Sequence, residues 1–220
     1  MEKLAKKIAD RLSAELNLDD EKKEVVAYGM AALFQTFSTL LFVFLLGLIA
    51  GIPVEALIIC LCVSLLRKYS GGAHLSSMGL CTFCGVLYSV TAAAVGRYLL
   101  SPLLTVRSMS VILAVTFAVS FFIIYKFAPV ANPKKPIKTE RKIRRMRRGS
   151  FTVLFSYLAV SLLFLFFGQA YPPFLGYGIS LVFGTIWQIM TLTTFGAQLF
   201  HILDQVGNKI CDNGMEVKKR

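Results

Sequence analysis

Between Val25 and Leu66 the chain carries one charged side chain, Glu55. A soluble domain spreads charge along every surface it exposes and has no use for so long a charge-poor run. A helix crossing the hydrocarbon of a bilayer needs one, about 20 consecutive apolar residues per crossing. The pattern recurs down the sequence, and the composition agrees. Hydrophobic residues make up 56% of the 220 and charged residues only 16%, against about 25% charged in an ordinary globular domain. Mean hydropathy is +0.66. These values exclude a disordered chain, a disulfide-stapled secreted scaffold and an ordinary soluble enzyme. They leave an all-α polytopic membrane protein.

Six apolar segments are expected to cross. Residues 25–50 supply the first, broken by Gly51-Ile52-Pro53, and residues 54–66 a second, short one ended by Arg67 and Lys68. Residues 78–95, 108–125, 149–167 and 174–200 supply the remaining four. Ahead of them, Leu4, Ile8, Leu12 and Leu16 recur every fourth residue within a charged stretch, one apolar face of an amphipathic helix over residues 1–24. It either lies on the membrane surface or packs on the rest of the protein; it lacks the continuous apolar core of a signal peptide. The expected organisation is thus this helix, a membrane domain over 25–205 and a charged tail over 206–220.

The charge is as uneven as the apolarity. Lys and Arg number 24 against 12 Asp and Glu, and the interval 126–149 holds Lys126, Lys134, Lys135, Lys138, Arg141, Lys142, Arg144, Arg145, Arg147 and Arg148 against Glu140 alone. Six spans put this interval, the 67–77 loop and both termini on one side. The opposite loops hold only Glu55, Arg97 and Arg107. By the positive-inside rule the basic side is the cytoplasm, with both termini there. The basic loop reads as a topology determinant, as a contact for anionic lipid or as a dock for an acidic substrate segment. A loop tethered this close to a bilayer is a poor fit for nucleic acid.

One segment has the look of a site. Arg67-Lys68-Tyr69-Ser70-Gly71-Gly72-Ala73-His74 joins two apolar segments on the basic side, and Cys81 follows seven residues after His74. Paired glycines allow a sharp turn closed to other residues. A thiolate is a strong nucleophile, and an imidazole can take its proton and later protonate a leaving amine. On one continuous helix these residues would lie about 10.5 Å apart along the axis, beyond hydrogen-bond reach. A working pair therefore needs the chain to fold back between them. The bland alternative is a loop histidine beside a buried thiol.

Gly71-Gly72-Ala73-His74, the six-residue spacing to Cys81 and the preceding Arg67 resemble the AgrB family of membrane-embedded cysteine endopeptidases of bacterial quorum sensing. The segment Phe127-Ala128-Pro129-Val130-Ala131-Asn132-Pro133-Lys134-Lys135-Pro136-Ile137 is similar to a second element of that family. The resemblance implies that Cys81 is the nucleophile and His74 the general base and acid. It implies an AgrD-type propeptide as substrate, with its acidic C-terminal tail removed through an acyl-enzyme thioester that an internal thiol or hydroxyl then closes to a thiolactone or lactone. It also implies a homodimer in the bacterial cell membrane, acting on the cytoplasmic side. Arg67, Lys68, Gly71, Gly72, Arg144, Arg145, Arg147 and Arg148 are the candidate substrate-binding residues, although Arg67 and Lys68 equally mark a membrane boundary. No cofactor is called for, and there is no phosphate-binding Gly-x4-Gly-Lys-[Ser/Thr] motif.

Other polar residues have weaker claims on the site, although polar groups within a membrane are often functional. Cys84 follows Cys81 in a C-x2-C spacing that alone would hint at redox or metal chemistry, but no fourth ligand accompanies His74 and the two thiols, so no metal is expected. Cys60 and Cys62 read as small packing residues. His201, Asp204, Gln188 and Gln198 fall in or at the end of the last apolar segment. Gly29, Gly47, Gly178 and Gly184 are candidates for close helix packing. The rival to an enzyme is a non-catalytic transporter or exporter of the peptide, for which ionisable groups near the midplane would be expected.

Overall fold

Asp19 opens the first long helix as an N-cap, its carboxylate accepting from the Lys22 amide at 2.8 Å. The Lys22 ammonium, also at 2.8 Å, holds that carboxyl below the usual carboxylate range. The computed structural model describes residues 2–16, 19–73, 75–130 and 139–217; His74, Lys134, Lys135, Lys138 and the 131–137 part of the second motif lie outside the described residues. The described chain is helical: α1 (Glu2–Glu15), α2 (Asp20–Ile49), α3 (Pro53–Ser70), α4 (Met78–Ala94), α5 (Val106–Phe127), α6 (Glu140–Gly168), α7 (Pro173–Met190) and α8 (Thr194–Val217). A π-helical stretch, Val95–Leu100, and a 3-10 turn, Ser101–Leu103, prolong α4.

Five helices, α2, prolonged α4, α5, α6 and α7, are long and apolar enough to cross a membrane. The expectation of six meets five because α3, although 18 residues long, carries Glu55, Arg67 and Lys68. Its neighbours explain how it tolerates them. α3 packs against α2, α4, α6 and α7, so its buried polar groups find partners in protein, while Lys68 at its end is exposed. Glu55 is buried with Arg97 at 3.8 Å, and Tyr157 of α6 donates its hydroxyl to the Cys62 carbonyl at 2.8 Å. Gly184 of α7 lets α3 approach closely, since a Cβ there would lie 2.7 Å from that of Cys62. Cys60 and Cys62 are buried packing thiols, as expected. Gly29, by contrast, faces open space.

The expected segment 174–200 is two helices. α7 stops at Met190, where Thr191 Oγ1 donates to Gln188 O and Thr193 Oγ1 to Met190 O, both at 2.7 Å. Thr193 Oγ1 then accepts from the Gly196 amide at 3.2 Å, starting α8. α8 runs on through much of the expected tail, to Val217. The 126–149 interval is likewise not all loop: from Glu140 it is the exposed start of α6, stiffened by a Glu140–Arg144 pair at 3.0 Å. α1 packs on α2, with Ala9 and Ser13 buried and Leu12 and Leu16 exposed.

The helices end in two clusters. At one, Tyr98 donates to Ala50 O at 2.7 Å beside the Glu55–Arg97 pair. At the other lie the α3–α4 loop, the end of α5, the basic turns of α6 and the α7–α8 turn.

Candidate active site

The second cluster is built around Gly71 and Gly72, which have φ of 70° and 132°. Both values are ordinary for glycine and strained for any other residue. The turn is also short of space. A Cβ on Gly71 would run into the Val130 carbonyl, and one on Gly72 into Thr191 Oγ1. Gly71 forms an isolated parallel bridge with Val130, whose amide donates to Ser70 O at 2.9 Å. The two motif segments that looked separate in sequence therefore touch.

Several groups hold this turn. Gln188, fully buried in α7, donates its Nε2 to Ser70 Oγ at 3.0 Å and to Gly71 O at 2.7 Å. The Ala73 amide donates to Thr191 O at 3.0 Å. Arg67, in the last turn of α3, donates its guanidinium to the Ala73 carbonyl. Arg147 donates Nε to Ala128 O at 2.9 Å, fixing the segment that carries Val130. Tyr69 lies flat against α6 where Gly149 leaves no side chain in the way.

Beyond residue 74 the chain is held again. Leu75 is buried, and Ser76 donates its amide and its hydroxyl to Asp204 Oδ1 of α8 at 3.0 and 2.7 Å. Ser77 caps α4, accepting from Leu80 N at 3.5 Å. Cys81 is then half-buried in the first turns of α4, with its amide on Ser77 O at 3.0 Å. Cys84, also half-buried, is one turn further in.

The structure thus brings Arg67, Gly71, Gly72, Arg147 and Cys81 to one end of the bundle by different means. Arg67 and Arg147 each spend a donor on a backbone carbonyl. Lys68 is exposed beside the Tyr69 ring, at 5.7 Å. Arg144, Arg145 and Arg148 are exposed on α6. His201 is exposed and pairs with Gln205 at 3.1 Å. Sequence reasoning gave no role to Gln188 or Asp204. The signal was available for Gln188, an amide within an apolar helix that must find partners inside the protein; for Asp204 it was only a carboxylate at a span's end.

Comparison with known proteins agrees with the motif. The family model described as accessory gene regulator B matches residues 5–199. An AgrB-like protein of Clostridium perfringens strain SM101 is 39% identical over 96% of this chain and 99% of its own length. One from strain 13 of that species is equally similar. An AgrB-like protein of Halalkalibacterium halodurans is 26% identical over 93% of both chains. No solved structure matches. The chain belongs to the AgrB family.

Proposed function

We propose that the chain is a membrane-embedded cysteine endopeptidase that removes the C-terminal tail of an AgrD-type propeptide on the cytoplasmic side of the cell membrane. The observation that carries this reading is a half-buried thiol, Cys81, in the first turns of α4 immediately after a segment pinned to three other elements. His74 takes the Cys81 proton as the thiolate attacks the peptide carbonyl between signal and tail. The C–N bond then breaks, the imidazolium gives its proton to the leaving amine, and a thioester to Cys81 remains. An internal thiol or hydroxyl of the substrate attacks that thioester, closes the ring and returns the thiol of Cys81. Thioester exchange roughly conserves bond energy, so the sequence of steps requires no ATP.

Arg144, Arg145 and Arg148, exposed on one helical segment beside the turn, supply an electrostatic attraction for an acidic tail. Anionic lipid headgroups compete for the same charges. The enzyme acts as a homodimer. The test is the purified protein in liposomes with a synthetic propeptide of this design, followed by mass spectrometry. Tail release with an acyl adduct on Cys81, lost in both Cys81→Ser and His74→Ala, supports the reading. Transport of intact peptide without an adduct would replace it with an exporter.

A further inference from the structure

We propose that Asp204 is a positioning residue for the reaction at Cys81, holding the chain between the glycine turn and α4 in its working path. The proposal rests on the peptidase reading of the site. Its basis is the convergence of the Ser76 amide and hydroxyl on one oxygen, Asp204 Oδ1, at 3.0 and 2.7 Å. Hydrogen bonds to an ionised acceptor are roughly twice as strong as neutral ones. Ser76 directly precedes Ser77, the cap from which α4 and Cys81 begin. Upstream, Ala73 is fixed by Thr191 O at 3.0 Å. The chain from 73 to 76 is therefore tied at both ends to the α7–α8 unit, and His74 lies between the ties.

A second contact sets the same registry. One helical turn beyond Asp204, Gly207 lies so close to Leu80 that a side chain there would overlap it. α8 is also anchored without Asp204, by Phe200 against Trp187 with ring centroids 5.9 Å apart. Removing the carboxylate should therefore free the 75–77 segment without releasing α8. A fold-wide role would not behave this way.

The test needs no cognate substrate. In liposome-embedded full-length protein, amide hydrogen exchange over residues 75–80 should accelerate at least tenfold in Asp204→Ala. Ser76→Ala, which keeps the amide donor, should change less, and Asp204→Asn, which keeps an acceptor oxygen, should recover most of the protection. Trp187 emission checks that the α4–α7 packing is intact. In parallel, the pH profile of Cys81 alkylation by iodoacetamide should shift in Asp204→Ala toward the profile of His74→Ala, and return in Asp204→Asn. Unchanged exchange in Asp204→Ala overturns the proposal, as does an alkylation profile identical to wild type where His74→Ala differs from wild type. If His74→Ala itself matches wild type, the dyad reading fails instead, and exchange alone then decides whether Asp204 holds the segment.

Discussion

Gly71 and Val130 run side by side as a one-rung parallel bridge, with no room for a side chain at residue 71. The obstacle is the Val130 carbonyl, a backbone atom that cannot rotate aside. Gly71→Ala should therefore lose activity and about 1–3 kcal/mol of stability through its left-handed φ alone, with the overlap adding to it. At Gly72 the obstacle is a side chain, Thr191. Gly72→Ala should then be partly rescued by Thr191→Ala, whereas no single side-chain change rescues Gly71→Ala. Thermal unfolding in detergent together with tail-release assays separates the two cases.

The arginines of α6 should divide by what they touch. Arg147 gives its Nε to Ala128 O, so Arg147→Ala should lower stability by about 1 kcal/mol, the usual net value of one hydrogen bond. Arg144, Arg145 and Arg148 are exposed. Their combined reversal to Glu should raise KM for an acidic-tailed peptide several-fold at low salt and much less at high salt. Equal KM at both ionic strengths, in correctly inserted protein, would reject the docking role.

Charge removal at the opposite end of the bundle should be asymmetric. Glu55 is almost fully buried and Arg97 is more than a third exposed. Arg97→Met strands a buried carboxylate and should destabilise by about 1–3 kcal/mol, the usual cost of an unsatisfied buried polar group, whereas Glu55→Gln leaves a partly solvated cation and should cost less. A larger loss in Glu55→Gln would show that the pair is not what keeps Glu55 buried.

Thiol labelling should follow burial. Cys81 and Cys84 are half-buried and Cys60 and Cys62 are buried. A small maleimide should label the first two in folded protein and reach the other two only after denaturation. Labelling of Cys62 at the rate of Cys81 would contradict the packing of α3 against α7.

Helix class and the charged end of the bundle were readable in sequence because apolar run length and Lys/Arg clustering are local properties. α3 was harder: its polar content reads as a poor span until four neighbouring helices are known to cover it. The break after Met190 was hidden because it spans only residues 191–193, a stretch with no charge, glycine or proline to mark it. Of the candidate site, the glycine turn and Cys81 were legible as a motif. Gln188 was legible only as an amide that needs a buried partner, and Asp204 not at all, since their partners lie 118 and 128 residues away and no local pattern names a contact of that range.

That range has a consequence for synthesis. Ser76 precedes the carboxylate that holds it by 128 residues, which at about 5–20 residues per second is a delay of roughly 6–26 seconds on the ribosome. Until α8 is made, a nascent chain can carry Cys81 but not the tie that shapes its approach. On the proposed reading, the site at Cys81 gains its hold on Ser76 only after α5, α6, α7 and the start of α8 have been made.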